Sequence, residues 1–290
     1  EEFGGQALPY SLGTIIAEWF SGANHSWAMY PGLSHGCMET IKAHGTAELK
    51  TQFLHNLVSG LWTGTMCLTE SHCGSDLGML KTKAVPNADG SYNLTGTKIF
   101  ISAGEHDLSD NIVHIVIARL PDAPAGTKGI SLVVVPKVHA GPKASATCVI
   151  NFDGAKGYLI GTENRGLNCM FTFMNMARVG TSLEGLAATE AAFQGALVYA
   201  KDRLQFRSVS GVKNPSGPAD PIINHPDVRR MLLTQKAFRE GERAMAMYCM
   251  QLVDYGLYAK DAQSKKVTEG KLALLTPILK AFLTETAQET

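Results

Sequence analysis

Hydrophobic positions change period twice along this chain. In LGTIIAEWF (12–20) and AELKTQFLHNLVSG (47–60) apolar residues recur at helical spacing. Leu49, Phe53 and Leu57 share one face, and Gly60 is placed as a C′ glycine. The spacing predicts helices through residues 1–64. From about residue 65 the pattern shortens to β-branched runs of strand length: TKIFISA, NIVHIVIARL and GISLVVVPK. Turn signals divide them at Asp89-Gly90, Thr95-Gly96 and PDAPAGTKG, and NADGSYNL reads as a hairpin tip. Helical spacing returns over 167–207, in a stretch rich in small residues such as Gly180, Gly185, Ala187 and Ala188, which let neighbouring backbones approach closely. KNPSGPADP carries three prolines in nine residues and must be a loop. His225-Pro226 then places proline at N1 of a further helix, VRRMLLTQKAFREGERAMAMYCMQL. A polar stretch near 259–269 precedes a last amphipathic segment, LALLTPILKAFL.

The order is helices, strands, helices. It predicts an α+β protein with segregated layers rather than alternating βα units. The expected divisions are a partial N-terminal helical domain (1–64), a central antiparallel β domain (65–162) and a truncated C-terminal helical bundle (163–290). No internal repeat occurs at a fixed period.

Composition narrows the function classes. Hydrophobic residues are 45% and charged residues 18%, which is globular rather than disordered. Lys+Arg and Asp+Glu are 26 each, so no basic excess exists to neutralise nucleic-acid phosphates. No run of eighteen apolar residues occurs, so no membrane span is expected. The first residues lack a signal-peptide pattern and an initiator Met, so the chain is expected to begin inside a longer protein. Six dispersed cysteines with no CxxC read as free thiols in a reducing compartment, and the expected location is cytoplasmic.

Several motifs are missing. There is no GxG pair, P-loop, HExxH or GxSxG. The densest chemistry lies in MCLTESHCGSD (66–76). Glu70, His72, Cys73 and Asp76 invite a metal reading, but no second Cys/His pair stands at ligand spacing, and no metal is expected. Cys73 beside His72 is no better as a nucleophile pair, because such partners meet through the fold. A backbone loop for ligand oxygens and a well-capped connector both remain open on spacing alone.

LTESHCGSD resembles the signature loop of acyl-CoA dehydrogenases, whose usual form is Thr-Glu-Pro-x-x-Gly-Ser-Asp. GTKIFISAGEHD is similar to the family's second flavin segment. FMNMARVG resembles the helix start that bears the substrate arginine, and KDRLQFRSVSG its Glu-Arg-x-x-Phe-Gly segment. The four occur in the family's order over nearly all of the chain. The KNPSGPADPII insertion before HPDVRRMLL resembles a long-form subgroup that includes 3-(methylthio)propanoyl-CoA dehydrogenases. The resemblance implies FAD, an acyl-CoA thioester, and α,β-dehydrogenation to the 2-enoyl-CoA, with electron-transfer flavoprotein as acceptor.

Carried over by position, Met66, Leu68 and Thr69 would line the flavin, partly through backbone groups. Phe100 would stack near the ring, and Ser102 would hydrogen-bond the flavin or its phosphate arm. Ser75 would contact the acyl-CoA, and Asn175 and Arg178, at i and i+3 on one helix face, its CoA portion. The residues by themselves leave open that Arg178 is a rim ion pair and that Phe100 and Ser102 are strand packing. Arg178 and Arg203 are 25 residues apart, about 37 Å on one straight helix. One small site cannot use both, so the resemblance implies that Arg203, Gln205 and Phe206 reach the flavin of a second subunit. A homodimer or dimer of dimers follows.

Three departures qualify the resemblance. No Tyr-Glu-Gly base motif is found before Thr290, and Ala177 stands where a few relatives place the base instead. Glu184, six positions past Arg178, lies on another part of the helix surface. No catalytic residue is therefore assigned, and the chain, read as a fragment lacking both termini, is expected to be inactive alone. Asn175 replaces a more usual acidic residue. The region from Val138 to Thr147 is shorter than expected of the family, and Leu272, Leu275 and Ile278 are expected to lack a partner. An acyl-CoA oxidase and a non-catalytic flavin-binding paralogue remain alternatives. Acyl-chain preference is not legible.

Overall fold

The computed structural model describes residues 2–137 and 147–290. The shortened region expected between Val138 and Thr147 lies outside the described residues. The helices are α1 (Tyr10–Ala23), α2 (His25–His44), α3 (Ala47–Val58), α4 (Gly166–Asp202), α5 (Pro226–Tyr258) and α6 (Ala262–Glu289). The strands are β1 (Trp62–Cys67), β2 (Lys83–Pro86), β3 (Tyr92–Ser102), β4 (Asn111–Arg119), β5 (Ile130–Pro136) and β6 (Thr147–Ile160). Two compact units result, residues 1–7 with 29–177 and residues 8–28 with 178–290. The fold is α+β, as the pattern predicted.

The first unit is built on a six-stranded sheet in the order β1-β4-β2-β3-β6-β5, in which β5 also pairs with β4, so the strands close on themselves. The β2–β3, β3–β6, β5–β6 and β4–β5 pairs are antiparallel. β1 runs parallel to β4, from Trp62↔Asn111 to Cys67↔Val116, and β2 touches β4 in one parallel pair, Lys83↔Arg119.

Closure explains the unbroken apolar runs. Val113, Ile115, Ile117, Ile130, Leu132 and Val134 pack with Cys37, Ile41, Phe53, Leu57 and Phe173. The intervening Val116, Ala118, Val133 and Val135 pack instead with Leu94, Ile101, Ile150 and Phe152. Both faces of β4 and β5 are therefore buried, and period-2 polarity has no reason to appear. On the helical side, Thr46 caps α3 by accepting from the Leu49 amide at 3.4 Å.

One sequence expectation is corrected here. Thr95-Gly96 is no turn but the middle of β3. Gly96 has φ +151°, and a Cβ there would stand 2.5 Å from Thr82 Oγ1. The glycine serves close approach, not reversal.

In the second unit, Leu183, Leu186, Ala246, Cys249, Met250, Leu279 and Leu283 form the core. A Cβ on Gly185 would lie 2.6 Å from the Leu283 carbonyl oxygen, so the small residue sets how closely α4 and α6 approach. Arg243 binds both Glu18 and Glu190, joining α1 to α4 through α5. Two boundaries move. α4 ends at Asp202, not 207, because Leu204 pairs with Pro221 in an isolated bridge. The polar stretch near 259–269 is mostly the first turns of α6, capped by Asp261, whose carboxylate accepts from the Ser264 amide at 2.7 Å. Leu275 packs on the core, whereas Ile278 is exposed. Among the described residues, no helix is long and apolar enough to cross a membrane.

Candidate functional site

Residues 68–76 leave β1 as a loop, and a buried carboxylate holds it. Glu70 accepts from the Lys81 amide (2.8 Å), the Thr82 amide (3.0 Å), Thr82 Oγ1 (2.7 Å) and Lys98 Nζ (2.9 Å). Burial pushes its carboxyl up, but the Lys81 amide, the Lys98 ammonium and the Thr82 donors outweigh this and bring it down to about 2. Backbone pairing between Glu70 and Cys73 folds the loop onto itself.

The second segment is β3. Lys98 Nζ donates to the Leu68 carbonyl at 3.0 Å, and the Ile99 amide to the Thr69 carbonyl at 2.9 Å. β3 then bulges: its register against β6 shifts between Lys98↔Ile150 and Ile101↔Cys148. Phe100 lies in the bulge at φ +57° with 74% of its surface exposed. A bulky residue in the left-handed region is an outlier, and such outliers cluster at functional sites. Thr65 Oγ1 donates to the Ser102 carbonyl at 2.7 Å, closing β1 against β3.

The structure thus brings Leu68, Thr69 and Phe100 to one junction, flanked by Met66 in β1 and Ser102 at the end of β3. Met66, Leu68, Thr69 and Ser102 are half-buried, and Ser75 is exposed. Among the described residues, the hydroxyls of Thr69, Ser75 and Ser102 have no protein hydrogen-bond partner, so they are open to a ligand. An exposed aromatic face, open hydroxyls and a fixed backbone fit a flat, polar ring system such as a flavin.

Glu70, His72 and Cys73 come within 4.8 Å of one another. Four donors, one of them an ammonium, already occupy Glu70, which argues for a loop anchor over a metal site. All six cysteines are free.

The helical candidates lie elsewhere in the chain. Asn175 (exposed) and Arg178 (half-buried) sit on α4. Glu184 faces His25 at 4.0 Å, and burial raises its carboxyl despite that imidazole. Arg203 and Gln205 are exposed just past α4. Phe206 takes φ +53° and is 75% exposed, so it repeats the geometry of Phe100. Another buried carboxylate organises this segment. Asp220 accepts from the amides of Ser208 (2.8 Å), Lys213 (2.9 Å) and Asn214 (2.6 Å), and they hold its carboxyl at about 2. Its backbone pairs with Gln205 and Phe206.

Glu70, Lys98 and Asp220 were missed as site-organising residues. A lysine inside the apolar alternation of TKIFISA was the available signal for Lys98, since an unpaired buried ammonium is too costly.

The acyl-CoA dehydrogenase N-terminal domain profile matches residues 1–61, and the family's middle-domain profile matches 65–154. The chain belongs to the acyl-CoA dehydrogenase family. It is 42% identical over 312 residues to 3-methylmercaptopropionyl-CoA dehydrogenase of Ruegeria pomeroyi, covering 99% of this chain and 52% of that protein. It is 35% identical to a broad-specificity linear acyl-CoA dehydrogenase of Mycobacterium tuberculosis, covering 99% and 51%. The chain therefore spans about half the length of these relatives. An acyl-CoA dehydrogenase from Bacillus anthracis, solved in complex with FAD, shares the fold with a TM-score of 0.80 at 23% identity, over 99% of this chain and 49% of that one.

Proposed function

We propose that the protein carrying this chain is an FAD-dependent dehydrogenase that converts an acyl-CoA thioester to the 2-enoyl-CoA. The observation that carries the reading is the junction of the 68–76 loop with the β3 bulge, where Phe100 stands exposed at φ +57° beside open hydroxyls. Family membership supports the same chemistry.

In this reading Met66, Leu68, Thr69, Phe100 and Ser102 hold the flavin. FAD supplies the acceptor for the hydride that leaves the β-carbon. Phe100 presents a ring face, and the fixed backbone of Leu68 and Thr69 presents the polar edge. Ser75, Asn175 and Arg178 bind the CoA portion. Arg203, Gln205 and Phe206 act on the flavin of a second copy, which makes a homodimer part of cofactor binding. Removing an α-proton beside a thioester needs a positioned base in a water-poor pocket. Ala177 offers only a methyl group, so the base is assigned to no described residue, and the 290-residue chain alone does not turn over. Electron-transfer flavoprotein is the proposed acceptor, the cytoplasm the proposed location, and 1–64, 65–162 and 163–290 the proposed functional divisions.

The test is spectroscopic. The protein carrying this chain should bind FAD, show a flavin band, and bleach anaerobically with short, thioether-bearing or long acyl-CoAs. A colourless protein that refuses FAD and ignores every acyl-CoA would overturn the reading.

A further inference from the structure

Lys98 has a side chain with 0% exposure, although burying an ammonium is costly. Its Nζ spans two neighbours in the loop, the Leu68 carbonyl (3.0 Å) and Glu70 Oε1 (2.9 Å). The next residue, Ile99, donates its amide to the Thr69 carbonyl at 2.9 Å. The one after that is Phe100, at φ +57°. Residues 98 and 99 of one strand thus grip residues 68, 69 and 70 of the loop, and the strand then turns its aromatic ring outward.

The pair is a poor device for stability. Replacing a buried ion pair by apolar groups of similar volume is often neutral or stabilising, because desolvation offsets the attraction. What the pair supplies is register. A bulge leaves two residues facing one and loosens the local ladder. The backbone bond at Ile99 alone would leave Leu68 free to rotate its carbonyl away. The Lys98 fork removes that freedom, and Glu70 ties the same point to Lys81 and Thr82.

We propose that Lys98 is a positioning residue that fixes the Leu68–Thr69 backbone against Phe100 and so shapes the flavin-facing surface. The inference rests on the FAD reading above and adds to it a residue that does not touch the ring. It acts through Leu68 and Glu70.

The test uses Lys98→Met, which fills the space without donating, and Glu70→Gln, which removes the counter-charge but keeps an acceptor. Two flavin readouts are compared with far-ultraviolet circular dichroism and thermal melting: the FAD Kd, and the visible circular dichroism of bound FAD at saturation. Lys98→Met is expected to keep the wild-type fold while its Kd rises at least tenfold and its visible spectrum changes. Glu70→Gln is expected to weaken FAD several-fold. A merely structural lysine would shift melting and leave the spectrum of the saturated flavin alone. A folded Lys98→Met with wild-type Kd and spectrum overturns the proposal and leaves the FAD reading standing. If Lys98→Met does not fold, a wild-type Kd and spectrum in Glu70→Gln overturn it. Failure of the unaltered protein to bind FAD overturns the reading itself, and the proposal with it.

Discussion

A Cβ placed on Gly64 would stand 2.3 Å from the Cβ of Cys37. β1 therefore lies on α2 at a distance only glycine permits, and the Gly64 amide donates to Ser34 Oγ at 3.0 Å on the same helix. Gly64→Ala must push β1 off α2. Overpacking of this kind costs about 1–3 kcal/mol. Urea unfolding should show a lower midpoint, and FAD binding should weaken as well, because β1 leads directly into the 68–76 loop.

Phe100 should show the opposite balance. Its side chain is 74% exposed and its φ is +57°, so the native state gains little packing and bears strain. Phe100→Gly should stabilise the protein by about 1 kcal/mol, the usual cost of a non-glycine residue in that region. FAD affinity should fall about tenfold with loss of one stacking face. A drop in melting temperature would contradict the first expectation, and unchanged FAD binding the second.

His114 governs an acid-sensitive step. It is fully buried on β4, its ring nitrogens have no partner among the described residues, and burial lowers its imidazole to about 3. The charges facing it, Lys137 and His106, act in the same direction. The folded value lies below the unfolded one near 6.5, so the unfolded chain takes up protons first. Stability should fall as pH drops from about 6.5 towards 3, by about 3 kcal/mol at pH 4. His114→Leu should flatten this limb, which urea titrations at several pH values would reveal.

Asp220 should matter lower on the pH scale. Its carboxyl is held at about 2, below the usual aspartate value, chiefly by the Ser208 amide. Its contribution is present above about pH 4 and is lost as pH falls through 2. Asp220→Asn should remove it at every pH. Amide exchange at Ser208, Lys213 and Asn214 should then speed up while the core of the second unit stays protected.

The sequence pattern carried the fold because burial dictates it: strands buried on both faces read as apolar runs, and capped helices announce their ends. It failed where one residue type answers to two causes. Gly96 looked like a turn and is a close approach. The polar stretch near 259–269 was set apart from the amphipathic segment that follows it, yet most of it is the first turns of the same helix. The motif positions Phe100 and Phe206 were visible as residues, but their left-handed backbones were not, since nothing local in the chain encodes a positive φ at phenylalanine. Glu70 and Asp220 were opaque for another reason. Their partners are amides 11 or more positions away for Glu70 and 6 to 12 away for Asp220, fixed only once loops have closed.

The ring formed by β4, β2, β3, β6 and β5 has a mechanical consequence. A strand in an open sheet can creep past its neighbour; in a hoop, any slip must be matched by every other member at once. Phe100 is carried on such a hoop, so its strand cannot slide as a whole, and what freedom the bulge leaves at residue 100 is confined to that one point.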